Sequence, residues 1–288
     1  MEKELVSVGI PFYNSEIFLA DAIKSVIRQS YQNLEIILID DGSSDGSLKI
    51  AKAFAKTDKR IQVISDGKNV GLPKRLNQLS KHAQGYYYAR MDADDIMHTD
   101  RIKTQVEYLN KHTSVDLLGT GLIAIDNKNN ITGLRKGSHL ETITLNMVMR
   151  MTWAVHPTIT GKLAWFQENL YDENLRRAQD YELWIRTVEH SKFVKLKDAY
   201  LFYREASTPS LTKYFQSTKY SLNIFLKARK KLGLINLLKL TINKLFKLAV
   251  YFVFSIFGQT NKLIERRSVA MDAKDEKQYA SILNKIIS

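Results

Sequence analysis

The chain has no cysteine. Disulfides, zinc-thiolate sites and thiol nucleophiles are therefore excluded, and a reducing cytosol is the compartment that fits. A leader is missing too. Met1-Glu2-Lys3-Glu4-Leu5 offers no basic segment followed by an apolar one before a strand-like run begins, so the protein is expected to stay in the cytoplasm. The uninterrupted apolar stretch Leu248 to Gly258 is much shorter than the roughly 20 residues that cross a bilayer. Acids are absent from Ala206 to Leu263, a region that nevertheless carries ten Lys/Arg. Of the net charge of +13, residues 215–288 supply 14 Lys/Arg against 4 Asp/Glu, which leaves about +3 for everything before them. The basicity belongs to the tail.

What is present suffices for a packed core. The chain has 288 residues, 44% of them apolar and 25% charged. The first hundred residues alternate regularly. Leu5 to Pro11 reads as a buried strand, followed by Phe18, Leu19, Ala22, Ile23, Val26 and Ile27 at helical spacing. Leu34 to Ile39, Ile61 to Ile64 and Tyr86 to Met91 read as further strands, with helices marked by Leu48, Ala51, Phe54 and Ala55 and by Leu76 and Leu79. Such alternation with short connections implies parallel strands with right-handed crossovers, a doubly wound α/β sheet whose ligands collect at the carboxyl ends of the strands. The polar residues that stand out lie at those ends: Pro11, Tyr13 and Asn14, then Asp40 and Asp41, then Asn69, then Asp92 to Asp95. The pattern from Val115 to Tyr203 is mixed α+β and completes the same domain, with helices expected around Ile143 to Met151 and over Ala178 to Glu189.

The cluster Asp92-Ala93-Asp94-Asp95 needs something to hold its charge together. Helix capping accounts for Asp100, because acids complement a helix N-terminus, but Asp92, Asp94 and Asp95 precede the expected helix by several residues. Hard divalent cations prefer carboxylate oxygens and bridge to substrate phosphates, so Mg²⁺ or Mn²⁺ is the expected partner.

A D-x-D triplet is weak alone, but the combination is specific. "SVGIPFYN", "IILIDDGSSDGS", "NVGLPKRLN", "MDADD" and "RAQDYELWIR" follow one another in the order and spacing that resemble the family 2 inverting glycosyltransferases of the GT-A fold, over residues 5–204. The nearest flavour is the bacterial enzymes that build capsule, O-antigen or teichoic-acid polysaccharides. The resemblance implies a GT-A (Rossmann-like, mixed mainly parallel sheet) domain. The first clear boundary in the chain, Ser207 to Ser210, sets that domain at 1–207 and leaves a C-terminal helical, membrane-associating region over 208–288. It implies that Asp41 accepts from the uracil of a UDP-sugar, with Pro11 and Tyr13 lining the base pocket. Asn69 and Arg75 would approach the ribose and pyrophosphate, Asp92 the ribose or a metal water, and Asp94 the metal. Arg75 also fits an ordinary exposed helix residue, and Asp40 and Asp45 fit Asx turns in the Gly-Ser loop. His156 matches a position where relatives often carry a histidine near metal and diphosphate. Trp153 is either a sugar platform or a core aromatic.

Inverting transfer needs the acceptor hydroxyl deprotonated as it attacks. The resemblance places this general base at Asp180, in Gln179-Asp180-Tyr181-Glu182, with an N-cap of the following helix as the alternative reading. Gln179 departs from the family, where Glu is common, and so removes a charge beside the base.

The tail reads as an amphipathic helix. Asn236, Lys239, Asn243, Lys244 and Lys247 share one arc and Leu, Ile and Phe fill the rest, which fits a helix lying on an anionic membrane surface with Lys227, Arg229, Lys230 and Lys231 adding attraction. Packing against the catalytic domain or in an oligomer is the alternative. Residues 264–288 show helical spacing without an assignable role. The expected protein is a cytoplasmic, peripheral-membrane glycosyltransferase acting on a saccharide or lipid-linked acceptor. A nucleotidyltransferase would call for a Gly-rich basic phosphate loop that "GIPFYNSE" lacks. A nucleic-acid-binding role is not expected, because the tail's apolar face is too extensive.

Overall fold

The computed structural model describes residues 3–137, 140, 142–150, 153–205, 211–260, 262–263, 268–269 and 271–288. The first half follows the alternation. Strands β1 (Val6–Phe12), β2 (Leu34–Asp40), β3 (Ile61–Ser65) and β4 (Tyr87–Arg90) are joined by α1 (Leu19–Ile27), α2 (Ser47–Thr57) and α3 (Leu72–His82). β1 runs parallel to both β2 and β4, and β2 to β3. Helices cover both faces, so every residue of β1 is buried and the strand reads as a continuous run rather than an alternation. Because the order β3-β2-β1-β4 changes direction at β1, the loops leaving β1 and β4 diverge and open a crevice at their carboxyl ends.

The second half extends the same sheet. It comprises β5 (Ile96–Met97), α4 (Arg101–Lys111), β6 (Leu117–Ile125), β7 (Ile131–Arg135), α5 (Leu145–Arg150), a 3₁₀ turn (His156–Thr158), β8 (Thr160–Lys162), α6 (Leu163–Glu168), α7 (Gln179–Thr187) and β9 (Phe193–Arg204). β8 lies antiparallel between β4 and β6, β9 runs parallel to β6, and β5 closes the edge against β9. The order is β3-β2-β1-β4-β8-β6-β9-β5, with β7 attached to β6. This is the mixed sheet of the GT-A fold.

One face is covered by α1, α2 and α4 over Val8, Ile10, Ile36 and Leu38. The other carries an aromatic core in which Trp153 stacks on Phe193 at 5.0 Å and meets Trp184 edge-on at 5.6 Å. Trp153 is 1% exposed, so the core reading holds for it and the sugar-platform reading does not.

Helices α8 (Leu211–Lys227) and α9 (Arg229–Ile256) pack on this second face, where Ile224, Phe225, Leu232 and Leu240 join the aromatic core. The boundary expected at Ser207 to Ser210 lies outside the described residues. Within α9 the backbone breaks at Gly233, whose φ of +69° suits glycine and redirects the chain before the long apolar run. Ile235, Leu238, Ile242, Phe246, Val253 and Ile256 then form an outward stripe, each between 48% and 71% exposed. Asn236, Lys239 and Asn243 line a hollow facing the catalytic domain, and Lys244 Nζ reaches Ser221 Oγ at 3.3 Å. The helix therefore packs through Leu232, Leu240 and Tyr251, and the outward stripe is left unpartnered among the described residues. Of the cations near its start, Lys231 pairs with Glu189 at 2.8 Å and Lys227 approaches Asp172 at 3.8 Å.

The segment whose role the sequence left open ends in a helix, α10 (Ala273–Ile287). Asp272 caps it by accepting from the Asp275 N–H at 2.7 Å, and acids occupy its first turn. Leu283 and Ile286 enter a core with Ile96, Ile123 and Phe202 at the sheet edge. Its free carbonyls are satisfied by Lys24, which reaches Ile287 O at 2.7 Å, and by Arg28, which reaches Lys285 O and Ile286 O. The edge strands are thereby covered.

Candidate active site

Three loops at the carboxyl edge are tied together by Asp41. Its Oδ1 accepts from the Val70 N–H at 2.9 Å and from Arg75 Nε at 2.9 Å, and the Gly71 N–H reaches both carboxylate oxygens. Close approach of the β2 and β3 loops requires Gly42, whose φ is +74°; a Cβ there would fall 2.8 Å from the Asn69 nitrogen. The β1 loop is latched on by Asn14, which accepts from the Ser44 N–H at 2.8 Å. Tyr13 remains 50% exposed at the crevice mouth, while Pro11 is buried in β1 and Asn69 is exposed. Asp40 and Asp45 make the Asx bonds expected of turn-shapers, to the Ser43 N–H and the Ser47 N–H.

Arg75 differs from both sequence readings. It is 1% exposed, and its five N–H bonds are directed at Asp41, Asp66 (twice), Gln78 Oε1 and Lys68 O. No donor is left for pyrophosphate. Its place in the structure is to hold the loop carrying Asn69 against Asp41.

The acidic loop follows β4, and the Met91 N–H still bonds Gly9 O at 3.1 Å, so β1 fixes where the loop begins. Ligand atoms of Asp92, Asp94 and Asp95 lie within 4.8 Å of one another. The sequence grouped Asp95 with this cluster without giving it a ligand role of its own. It is fully buried, its Oδ1 accepts from the Arg204 N–H at 2.9 Å, and its Oδ2 has no partner among the described residues. Burial, reinforced by the charges of Asp92 and Asp94, pushes its carboxyl well above the usual range. Crowding of the crevice and the neighbouring Asp92 push Asp94 up to about 6. Asp100 stands at the N-cap of α4 without bonding the helix through its side chain.

Two arginines partly offset this charge. Arg90, at the end of β4 and 2% exposed, pairs with Asp92. Arg204, at the end of β9, donates Nε to Asp94 O at 2.8 Å and stacks 4.2 Å over the Phe18 ring. Arg90 was legible as a charge inside an otherwise buried strand. Arg204 was not, because nothing near it in sequence is acidic except Glu205. Repulsion nevertheless persists, and a buried unmet oxygen beside two further carboxylates fits a hard divalent cation. His156 is not among the clustered ligands. Its Nε2 lies 2.7 Å from the Tyr171 hydroxyl, and burial, aided by Arg90, lowers its pKa well below the ordinary value. Its lowered pKa favours the neutral imidazole, which shares a hydrogen bond with the Tyr171 hydroxyl.

Asp180 opens α7 after Ala178, whose φ of +59° turns the chain into the helix. Its Oδ1 accepts from the Tyr181 N–H at 2.8 Å. Burial raises its pKa, and the charges of Arg90 and Asp92 act on it in opposite directions. The charges of Arg90 and Asp92 thus act on a carboxylate from a distant part of the sequence. Gln179 is 8% exposed and brings no charge to the group.

Comparison with known proteins agrees with this geometry. Residues 7–175 match the model of glycosyl transferase family 2. EpsE of Bacillus subtilis, named a glycosyltransferase, is 35% identical over 208 residues, 70% of this chain and 73% of that one. TuaG of the same organism, named for teichuronic acid biosynthesis, is 30% identical over 191 residues, 64% of this chain and 71% of that one. Among solved structures, Staphylococcus aureus TarS 1–349 in complex with UDP-GlcNAc superposes with a TM-score of 0.65 at 19% identity, covering 98% of this chain and 80% of that one. The mannosyltransferase PcManGT of Pyrobaculum calidifontis, with GDP-Man and Mn²⁺, gives 0.62 at 15% identity, covering all of this chain and 86% of that one. These two likenesses speak to the fold. The family match spans more than half of the chain, and this protein belongs to glycosyl transferase family 2 and is a glycosyltransferase.

Proposed function

We propose that the protein is a metal-dependent inverting transferase that moves a sugar from a nucleotide diphosphate, most naturally UDP, to a hydroxyl of a saccharide or lipid-linked acceptor during surface-polysaccharide synthesis. The observation that carries this reading is the cluster of Asp92, Asp94 and Asp95 at the carboxyl end of β4, beside the buried Arg90, in a chain of this family. The names of EpsE and TuaG and the UDP-GlcNAc complex of TarS support the nucleotide-sugar donor and the polysaccharide context.

Asp94, Asp92 and Asp95 would hold Mn²⁺ or Mg²⁺, which when bound neutralises charge growing on the departing diphosphate. Pro11, Tyr13, Asp41 and Asn69 surround the nucleoside side of the crevice. Asp41 Oδ2, engaged only by Gly71 among the described residues, keeps a lone pair for the uracil N–H. Arg75 orients that carboxylate rather than touching phosphate. Asp180 takes the proton of the attacking acceptor hydroxyl, and its raised pKa makes it a stronger base than an exposed aspartate. No covalent enzyme intermediate is needed. His156 and Tyr171 position the floor beside Arg90. The outward stripe of α9 would lie in the interface of an anionic inner leaflet, where Phe and Leu gain apolar burial, and its exposure supports a peripheral position on the cytoplasmic face. No helix among the described residues is long and apolar enough to cross a membrane.

Hydrolysis of a panel of UDP- and GDP-sugars with Mn²⁺, Mg²⁺ or EDTA tests the reading. Slow metal-dependent release of UDP from one donor, abolished in Asp94→Ala, is expected. Absence of both donor binding by calorimetry and turnover with any metal overturns it.

A further inference from the structure

The side of α9 that faces the catalytic domain encloses, with α5, a hollow of about 490 Å³. Its lining is unusual for a helix contact. Arg150, Lys231 and Lys239 supply cations, Asn146, Asn236 and Asn243 supply amides, and no carboxylate lines it among the described residues. Lys231 is committed to Glu189 at 2.8 Å, whereas Arg150 and Lys239 have no ion pair among the described residues. These two cations and three amides are the donors that a phosphoryl group accepts from.

The hollow adjoins the acceptor side of the site. Met149 lines it, and Met149 O accepts from the Tyr181 hydroxyl at 2.8 Å, one residue beyond Asp180. Lys244, next to the lining residue Asn243, lies 5.4 Å over the Tyr181 ring. Neighbouring faces of α9 therefore offer different chemistry. One is an exposed apolar stripe and the other a cationic hollow beside the helix that presents Asp180.

We propose that the hollow between α5 and α9 binds the diphosphate of a lipid-linked acceptor, whose hydrocarbon lies along the outward stripe of α9. This rests on the glycosyl transfer proposed above and adds the acceptor's chemical class to it. The hollow fixes the anionic linker, so that the sugar beyond it extends toward Asp180. No bond is made or broken there.

The test compares the full chain with the double variant Arg150→Gln/Lys239→Gln. Farnesyl diphosphate, farnesol, inorganic pyrophosphate and phosphatidylglycerol vesicles are titrated in EDTA, which keeps diphosphate from being bridged to the Asp92–Asp94 loop. Farnesyl diphosphate is expected to bind and to lose about tenfold or more in affinity in the double variant, while farnesol binds weakly and equally to both. Equal farnesyl diphosphate affinity in the two proteins overturns the assignment. Pyrophosphate binding as tightly as farnesyl diphosphate, with the same loss, assigns the hollow to free phosphate and overturns the lipid-linked acceptor. Loss confined to the vesicles assigns it to a bilayer headgroup instead and likewise overturns the proposal. UDP-sugar hydrolysis is followed in parallel and is expected to persist in the variant. Its absence from the wild type counts against glycosyl transfer, not against the hollow.

Discussion

Arg75 Nε donates to Asp41 Oδ1 at 2.9 Å, and through this bond the end of β2 is fixed to α3. The guanidinium also pairs with Asp66, holding that carboxyl at about 2, and it bonds Lys68 O, so one buried cation organises the loops after β2 and β3. Removing it strands Asp41 with a buried charge. Arg75→Ala is expected to cost about 3 kcal/mol or more, and Arg75→Lys to restore only part of this, because an ammonium lacks the planar fork. Urea denaturation reads the stability loss. A larger rise in donor KM than fall in kcat, measured in the Lys variant, identifies a positioning residue.

Metal should stabilise the fold by relieving the repulsion at the acidic loop. Mn²⁺ at a hundredfold over its Kd is expected to add about 2.7 kcal/mol, read as a rise in Tm that EDTA reverses. Asp95→Asn removes a buried charge with an unmet oxygen, so its Tm without metal should equal or exceed wild type while the metal-dependent shift shrinks. A full metal shift in this variant would remove Asp95 from the ligand set.

Asp180→Asn should lower kcat by about 10²- to 10⁴-fold and leave donor binding within about twofold. Burial raises this carboxyl, so the folded state binds its proton more tightly than the unfolded chain. Ionised Asp180 thus costs stability above its folded pKa, and the cost fades as pH falls through that pKa toward the unfolded one. Asn at this position should raise Tm by about 2 °C at neutral pH and by less near pH 4. The acid limb of the wild-type pH–rate profile should lie above the usual aspartate range. A limb at the ordinary value with unchanged kcat in the variant would point to a helix-capping role.

Membrane docking is separable from chemistry. Replacing Leu238, Ile242 and Phe246 by Ser is expected to reduce sedimentation with phosphatidylglycerol vesicles by about tenfold, since these exposed side chains supply apolar burial in the interface. Hydrolysis of the donor in solution should be unaltered, because none of the three touches the crevice. Retained vesicle binding would transfer the stripe to a protein contact.

The C-terminal helix is structural. Leu283→Ala removes a side chain that is 2% exposed against β5 and β9, and a loss of about 2–4 kcal/mol is expected, read by thermal unfolding. Donor affinity measured below the transition should be unchanged.

The alternation of strands and helices was legible because each element's apolar period is a local property of the chain. The four strand ends were legible with it, since parallel topology sends their loops to one edge. That reasoning sent Asp41 and the cluster Asp92 to Asp95 to one edge, where the structure also has them. It gave no part to Arg204, and it did not anticipate that Arg75 would be buried against Asp41 and Asp66. Whether a charge is buried, and what meets it there, depends on chain segments far away: Arg204 lies 109 residues beyond Asp95 and bonds it through the backbone. The orientation of α9 was open for the same reason. Its sequence determined that one face would be apolar and another polar, a matter of residue spacing. Which residues turned outward was decided only in the folded molecule, where Leu232 and Leu240 joined the aromatic core and Tyr251 stacked on Tyr214 of α8.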